Sequence, residues 1–174
     1  MLRHDYTTLD LADIEPTRLL ANRYLNNIYT DGSKTYNRMH IQANALALPL
    51  PTEAFHVVYS NHAIDFATVS EQTGPITAAL HEANRVLVPG GYAIFYFHHP
   101  EMIATDLSAI ANTSTGRYWK YLRDNSILFE NEDQIRKHMS EAGFVDIEVV
   151  YFKEGNIPSV GDQWWEVTAR KRSE

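Results

Sequence analysis

A helix, a proline–diglycine turn and an apolar strand follow one another between residues 76 and 97. Apolar residues recur at helical spacing as far as Leu87, and Pro89 ends the helix because proline cannot continue it. Gly90 and Gly91 are expected to supply the positive backbone angles of a sharp reversal. An unbroken apolar and aromatic run follows, which is typical of a strand covered on both faces. This order predicts an α/β sheet with helices as its cover.

The residues from Glu82 to Gly91 resemble a signature of class I S-adenosylmethionine (SAM)-dependent methyltransferases of the type 11-like group. In that family the helix before the fifth strand ends in E-x-x-R-V-L-x-P-G-G, and this chain fits the pattern throughout. The resemblance implies SAM as the methyl donor. It also implies a three-layer Rossmann-like sheet, mostly parallel, with an antiparallel C-terminal hairpin. The alternative is another α/β nucleotide-binding protein with the same helix–turn–strand order.

The closing part of the chain carries further elements of this resemblance. Asn131 and Gln134 form a capping-box pattern before a helix that Gly143 ends. Strands are predicted over residues 144–152 and 164–170. The E-A-G-F link before the first of them and the W-x-x-x-A-x-K/R pattern of the second are similar to the family's terminal hairpin.

Length and charge narrow the classes of function. The chain, residues 1–174, is expected to form a single domain, large enough to bury a core without staples. With no cysteine, thiol nucleophiles and Cys-type zinc sites are excluded. The net charge of -7 argues against nucleic-acid binding, and the basic end 170–172 is interpreted as a solvated terminus. Since neither a signal-peptide core nor an apolar run of membrane-spanning length is found, a cytoplasmic protein without membrane contacts is expected.

The segment after the first strand candidate carries the residues that the resemblance assigns to the ribose of SAM. A strand is predicted over residues 6–12, and Asp13-Ile14-Glu15-Pro16 resembles the D-I-x-P turn after the family's second strand. A carboxylate suits this position because it accepts both hydroxyl donors of a cis-diol. Asp13 is the first choice for the role and Asp10 the second. In the alternative interpretation Asp13 only caps the helix that follows.

The resemblance assigns the adenine contact to the residues after the third strand, which is predicted over residues 38–43. The family carries D-A-x-x-L-P-F there, and in this chain Asn44 replaces the acid. The carboxamide oxygen of Asn44 can still accept from the adenine amino group, and the backbone N–H of Ala45 can donate to a ring nitrogen. The alternative is that Asn44 simply closes a turn.

Polar residues follow the predicted fourth strand, over residues 55–60, at the end where open α/β sheets bind ligands. Ser60 and Asn61 are candidates for contacts with the methionine part of SAM or with the methyl acceptor. His62 is a candidate for binding or for proton transfer. A structural role for His62 is the alternative, because histidines near strand ends are often structural.

His98 and His99 follow the fifth strand of the family pattern. Imidazole titrates near neutrality, so either residue could take a proton from an acceptor hydroxyl or amine; plain loop structure is the alternative. Adjacent residues on a strand point to opposite faces, and no further ligand lies at a suitable spacing, so no metal site is predicted. Residues 101–130 are expected to vary within the family and to cover the acceptor. The sequence does not identify that acceptor, which is a small molecule or a macromolecule.

The family's first strand and its G-x-G-x-G loop are not found before Asp13, and no two glycines of the chain are separated by a single residue. That loop lets the amino-acid end of SAM approach bare backbone. Four explanations are open. The first is that the chain is a truncated form or one part of a split protein, and the second is that strand two pairs directly with strand four. The third is that a homo- or hetero-oligomer covers the gap, and the fourth is that residues 8–12 are themselves the first strand.

Two functions remain after this reading of the sequence. The first is methyl transfer from SAM, with catalysis mostly by positioning of the acceptor and the sulfonium in line. The second is a catalytically inactive methyltransferase-like partner or regulatory subunit that does not bind SAM by itself. The missing loop favours the second, whereas the ribose and adenine positions and the family resemblance favour the enzyme.

Overall fold

The computed structural model of the protein describes residues 8–12, 38–64, 76–100, 129–153 and 163–173. The chain divides into two compact units, Met1–Pro49 and Leu50–Glu174. None of the helices in the described stretches has both the length and the apolar character needed to cross a membrane.

The first unit contains two short strands, β1 (Thr8–Ala12) and β2 (Arg38–Gln42), and both were predicted from sequence. They pair in parallel, with Thr8 opposite Arg38. In the family, the first strand lies between strands two and four. The direct pairing of β1 with β2, the predicted third strand, therefore favours β1 as the second strand rather than the first.

The elements of the second unit are β3 (Phe55–Asn61), α1 (Ile76–Val86), β4 (Leu87–His98), α2 (Glu132–Glu141), β5 (Phe144–Lys153) and β6 (Gln163–Lys171). Its strands form a mixed sheet with the order β3-β4-β6-β5. Strands β3 and β4 are parallel, whereas β4 pairs with β6, and β6 with β5, in antiparallel fashion. The predicted C-terminal hairpin is thus confirmed. Within the described residues of the second unit, β3 is an edge strand of this sheet.

Strand β4 lies inside the sheet but alternates between a buried and an open face. Ala93, Phe95 and Phe97 are fully buried on the face that the helices cover. Burial of one such phenylalanine contributes roughly 2–3 kcal/mol. On the opposite face Tyr92 is 51% exposed. Cover on both faces, as predicted, is found at the end of the strand, where Phe97 and His98 are both buried, but not at Tyr92 beside the bulge.

The proline–diglycine segment is a bulge within β4 rather than a sharp reversal. Phe55 pairs with Leu87 and Val57 with Tyr92, so four residues of β4 lie opposite one residue of β3. Of the two glycines, only Gly90 has a positive φ, at 75°. A Cβ on the other glycine would lie 2.9 Å and 3.1 Å from two backbone carbonyl oxygens, those of Val88 and His56. Gly91 is therefore needed because a side chain has no room there, and not because of its backbone angle.

Arg85, which pairs with Glu82 in the family signature, connects the end of α1 to the segment before β3 by hydrogen bonds. The Arg85 guanidinium binds both carboxylate oxygens of Glu82, at 2.8 and 2.9 Å. It also donates to the carbonyl oxygen of Leu50 at 2.9 Å and to the hydroxyl of Thr52 at 3.2 Å. The Glu82 hydrogen bond raises the pKa of Arg85. A planar guanidinium with five donors suits this junction, and a lysine could not reproduce it.

The basic end of the chain is not simply solvated, contrary to the prediction for residues 170–172. The Lys171 ammonium donates to the carbonyl oxygen of Leu87 at 2.9 Å and pairs with Glu53 at 3.1 Å. Only 15% of its side chain is exposed. Arg170 lies over the ring of Tyr92, with its guanidinium carbon 5.1 Å from the ring centre. These cations thus attach β6 to the start of β4.

Helix α2 begins and ends as its sequence predicts. The Asn131 side chain accepts from the backbone N–H of Gln134 at 3.1 Å, and the Gln134 side chain accepts from the backbone N–H of Glu130 at 3.0 Å. Gly143 follows the helix with a φ of 90° and donates to the carbonyl oxygen of Ser140. The cap at Asn131 and the glycine stop are confirmed, whereas the return hydrogen bond of the predicted capping box goes to Glu130 instead of to the N-cap residue.

Strand β5 forms the other edge of the sheet and is irregular near its start. Its register with β6 shifts between Val145 and Glu148, and Asp146 between them has a φ of 51°. A bulge of this kind bends the strand and interrupts its ladder. The outer edge of β5 is therefore twisted, whereas β3 at the opposite edge carries no charged residue from Phe55 to Asn61.

We predict that Gly91→Ala lowers the free energy of unfolding by about 1–3 kcal/mol, because the added methyl group meets two backbone oxygens that cannot move independently. Gly90→Ala should cost about 1 kcal/mol, from its positive φ, since its nearest neighbours are flexible side chains. Urea unfolding of the two variants measures the difference. Equal midpoints for the Gly91→Ala variant and the unsubstituted protein would contradict the space requirement.

Candidate functional site

The carboxyl end of β3 presents three of the predicted site residues. Ser60 is buried, and its hydroxyl has no hydrogen-bond partner within the described stretches. Asn61 ends the strand with an exposed side chain. His62 follows with a φ of 51°, and its backbone N–H donates to the carbonyl oxygen of Tyr96 at 3.1 Å. This hydrogen bond fixes the first residue after β3 against the neighbouring strand.

His62 and His98 meet at the ends of the two parallel strands. Their ring centres are 4.2 Å apart, with the ring planes inclined by 38°. His98 is buried and is the last residue of β4. Two imidazoles in contact form a small cluster that can donate, accept and carry protons. The sequence named both histidines but did not predict that they touch.

His99 points away from this cluster, as expected for the neighbour of a strand residue. Its ring centre lies 4.6 Å from that of Tyr151 and 5.1 Å from that of Trp165. The indole nitrogen of Trp165 donates to the carbonyl oxygen of Phe129 at 2.8 Å. His99 therefore belongs to an aromatic cluster on the helix-covered face, and its predicted catalytic role has no support from this position.

Tyr96 adds a phenol to the cluster at the strand ends. Its ring centre is 5.8 Å from that of Tyr59 and 6.2 Å from that of His62. Burial raises the pKa of Tyr96 above its ordinary value of 10.0, and the hydrogen bond to Glu166 and its negative charge raise it further. The phenol is thus held neutral, as a donor to the carboxylate on β6.

The residues assigned to the adenosine part of SAM lie in the first unit. The Asn44 side-chain oxygen accepts from the backbone N–H of Leu46 at 3.0 Å, and the Asn44 backbone oxygen accepts from Ala47 at 3.0 Å. Asn44 therefore closes a turn, as its alternative interpretation stated, and Ala45 lies within that turn. Its oxygen retains a second lone pair, so the adenine contact stays a prediction.

The two predicted ribose ligands have no described side chain. Asp10 lies in β1, where the structure gives the backbone pairing. Asp13 lies outside the described residues. So do residues 101–128, which make up most of the segment predicted to cover the acceptor. Their predicted roles stay predictions. Among the described residues no group of three potential metal ligands occurs.

Sequence reasoning missed Tyr96 and Glu166. Tyr96 lies two residues before His98, and the period of two in a strand places them on one face. It lies opposite Glu166 in the ladder between β4 and β6. The signal was a carboxylate inside an aromatic strand, Trp164 to Arg170, where a charged residue is unusual unless it has a partner.

A family model described as "Methyltransferase domain" matches residues 7–95, slightly more than half of the chain. The match includes the predicted ribose and adenine positions, the end of β3 and most of β4. The chain therefore belongs to the class I SAM-dependent methyltransferase family. The enzyme reading of the sequence agrees with this family, and no comparison supports the alternative of an inactive partner subunit.

Relatives and solved structures agree with the family and the fold. The ubiquinone/menaquinone biosynthesis C-methyltransferase UbiE of Citrobacter koseri is 28% identical over a match of 166 residues, with 84% of this chain and 60% of that protein covered. The chain thus spans about three fifths of the curated relatives it matches. A SAM-dependent methyltransferase from Methanosarcina mazei superimposes with a TM-score of 0.67 at 13% identity, over 98% of this chain and 84% of that one. The N-methyltransferase NodS from Bradyrhizobium japonicum, in complex with S-adenosylhomocysteine, gives 0.59 at 11% identity, over 95% and 66%.

We predict that the phenol of Tyr96 titrates above pH 10.0, because burial and Glu166 favour its neutral form. The stability that this group contributes is then complete below pH 10.0 and is lost as the pH rises through the higher folded value. An ultraviolet difference titration of the protein against Tyr96→Phe isolates this phenol.

Glu166→Gln is the control for the cause of the shift. It removes the charge but keeps a hydrogen-bond acceptor, so the Tyr96 phenol should titrate at lower pH than in the unsubstituted protein. A phenol that titrates at or below its ordinary value in the unsubstituted protein would exclude the Tyr96–Glu166 interaction.

Proposed function

We propose that this chain transfers the methyl group of SAM to an organic acceptor at the carboxyl ends of β3 and β4. The observation that carries the proposal is the contact between His62 and His98, two imidazoles that meet where adjacent parallel strands end. Ligands of open α/β sheets bind outside such ends. The family match over residues 7–95 supports the same reaction class.

The described residues at the strand ends suit the cofactor's chemistry. The buried hydroxyl of Ser60 has no partner among the described atoms, and the next residue, Asn61, has an exposed side chain on the other face of β3. An unsatisfied buried hydroxyl is costly, and a polar ligand would remove that cost. We assign these two groups to the methionine part of SAM. Asp13, Asn44 and Ala45 are assigned to the ribose and the adenine.

SAM supplies an electrophilic methyl group on a sulfonium. The protein's contribution is to bind the acceptor in line with that group and to keep water away, which lowers the entropic part of the barrier. An acceptor that loses a proton on methylation needs a base nearby. His62 and His98 are the described groups with suitable chemistry, and Tyr96 stays a neutral donor because its pKa is raised.

Calorimetric titration with SAM and with S-adenosylhomocysteine tests the proposal. Both should bind, and Asp13→Asn should weaken binding by roughly tenfold or more because the ribose hydroxyls lose a charged acceptor. His62→Ala should change the affinity for SAM less than threefold, because its imidazole acts on the acceptor.

Asp133→Asn is the matched control for the carboxylate, since Asp133 is exposed in the first turn of α2. It should bind SAM as the unsubstituted protein does. No heat of binding from a folded sample at high micromolar SAM would remove the enzyme function for this chain alone. Equal losses for the Asp13 and Asp133 variants would remove the ribose assignment.

We also propose that a second copy of this chain pairs with the outer edge of β3. Val57 and Tyr59 on this strand are 53% and 58% exposed, and β3 forms an edge of the described sheet. An edge strand with apolar side chains and no charge is a template for another strand. A two-fold pair of β3 strands would satisfy the backbone groups of both copies.

Val57→Lys should separate the two copies, because lysine on an edge strand opposes pairing. Light scattering should then give the mass of one chain, 19.9 kDa, instead of twice that value. Val150→Lys is the matched control. Val150 is 39% exposed and lies on the same face of the sheet as Val57, but on β5 at the opposite edge. It should remain paired. A mass of 19.9 kDa for the unsubstituted protein would exclude the pair.

A further inference from the structure

The face of the second unit's sheet that is turned away from the helices carries an exposed apolar area on β3 and β4. Val57 lies opposite Tyr92, and Tyr59 lies opposite Ile94. Because these positions share a face, their side chains form one contiguous block, which we call the apolar block. Val57, Tyr59 and Tyr92 are 53%, 58% and 51% exposed. Soluble proteins seldom leave such an area open unless a partner binds there.

Both described helices of this unit lie on the opposite face of the sheet. Helix α1 packs against β4 and α2 against β5, and the two helices contact each other, so neither covers the apolar block. Parallel strand pairs such as β3 and β4 are normally covered on both faces. The match covers 60% of the Citrobacter koseri relative, so about two fifths of that protein lie outside it. That length leaves room in the relative for a second helical layer.

Two opposite charges on β6 flank the apolar block and give it a direction. Arg170 lies opposite Tyr92, near the start of β4, and Glu166 lies opposite Tyr96, towards its carboxyl end. The groups that they contact, the ring of Tyr92 and the phenol of Tyr96, are uncharged, so both charges persist on this face. Four strand residues separate them by roughly 13 Å. A helix of about three turns spans that distance.

We propose that an amphipathic α-helix of a separate polypeptide packs on the apolar block and runs antiparallel to β4. A helix satisfies its own backbone, and the block offers side chains rather than free backbone groups. Its apolar residues would recur at the spacing i, i+3, i+4 and i+7. The positive end of the helix dipole then lies near Glu166 and the negative end near Arg170. Pairing of two copies along the edge of β3 leaves this face free, because it uses backbone groups in the plane of the sheet.

A titration of the full, ¹⁵N-labelled chain with a synthetic helical peptide tests the proposal. The peptide has about 18 residues, long enough to be helical in water, with leucine at the stated spacing and alanine and glutamine elsewhere. Nuclear magnetic resonance follows the backbone amide signals. Those of Val57, Tyr59 and Tyr92 should shift in a saturable way. A peptide of the same composition, shuffled so that its leucines do not share a face, should bind at least tenfold more weakly.

Substitutions within the sheet locate the surface. Tyr92→Thr keeps a strand-forming residue but removes the exposed ring, so the affinity for the peptide should fall about tenfold or more. Since this change also removes the contact with Arg170, Tyr59→Thr repeats the test at a ring without that contact, and it should lower the affinity similarly. Val150→Thr is the matched control, because Val150 lies on the same face but on β5. Its affinity should change less than twofold.

Nitroxide labels on the peptide test its direction. A label at the first residue should broaden the amide signal of Glu166, and a label at the last residue that of Arg170; the reverse pattern would overturn the orientation. Equal binding of the ordered and shuffled peptides, or no shift at the apolar block, would overturn the docking surface. A second copy packed face to face would appear as a mass of twice 19.9 kDa that Tyr92→Thr halves, and would exclude the helix as the occupant.

Discussion

Strand β4 is paired along both edges, and the position of each proposed functional group in the second unit depends on that pairing. On one side it holds β3 in parallel, so that the ends of the two strands bring His62 to His98. On the other side it holds β6, which carries Glu166 to Tyr96 and Trp164 to His98. The bulge at Val88–Gly91 sets the register of β3, because four residues there lie opposite one. A different bulge would align different side chains at the strand ends.

Local signals in the sequence predicted the elements of the second unit well. The helix before Pro89, the cap at Asn131 and the stop at Gly143 each follow from the chemistry of a few adjacent residues, and each is confirmed. The predictions that failed concern longer range. Gly91 is needed because the carbonyl oxygen of His56 comes close, and Lys171 is held by the carbonyl oxygen of Leu87. Neither partner is near in sequence, so neither contact could be read from the local pattern.

The candidate site was predicted as a set of residues but not as an arrangement. The rule that ligands bind at the carboxyl ends of strands selected Ser60, Asn61, His62 and His98. It could not reveal the ring contact, since that depends on the register between β3 and β4. The alternation of a strand predicted that His98 and His99 point to opposite faces, but the sequence did not tell which of the two lies beside His62. The family signature at Arg85 belongs to the scaffold rather than to the chemistry, because its guanidinium binds Glu82, Leu50 and Thr52.

The irregular start of β5 has a consequence for how the sheet can grow. The shift of register around Asp146 and its left-handed backbone distort that margin, so a further strand has no straight partner there. The margin formed by β3 carries no charged residue. A sheet that is extensible from a single side can join one neighbour and then stops. Under the pairing of two copies proposed above, the distorted margin at β5 would therefore leave a closed pair with no further strand to add, rather than a fibril.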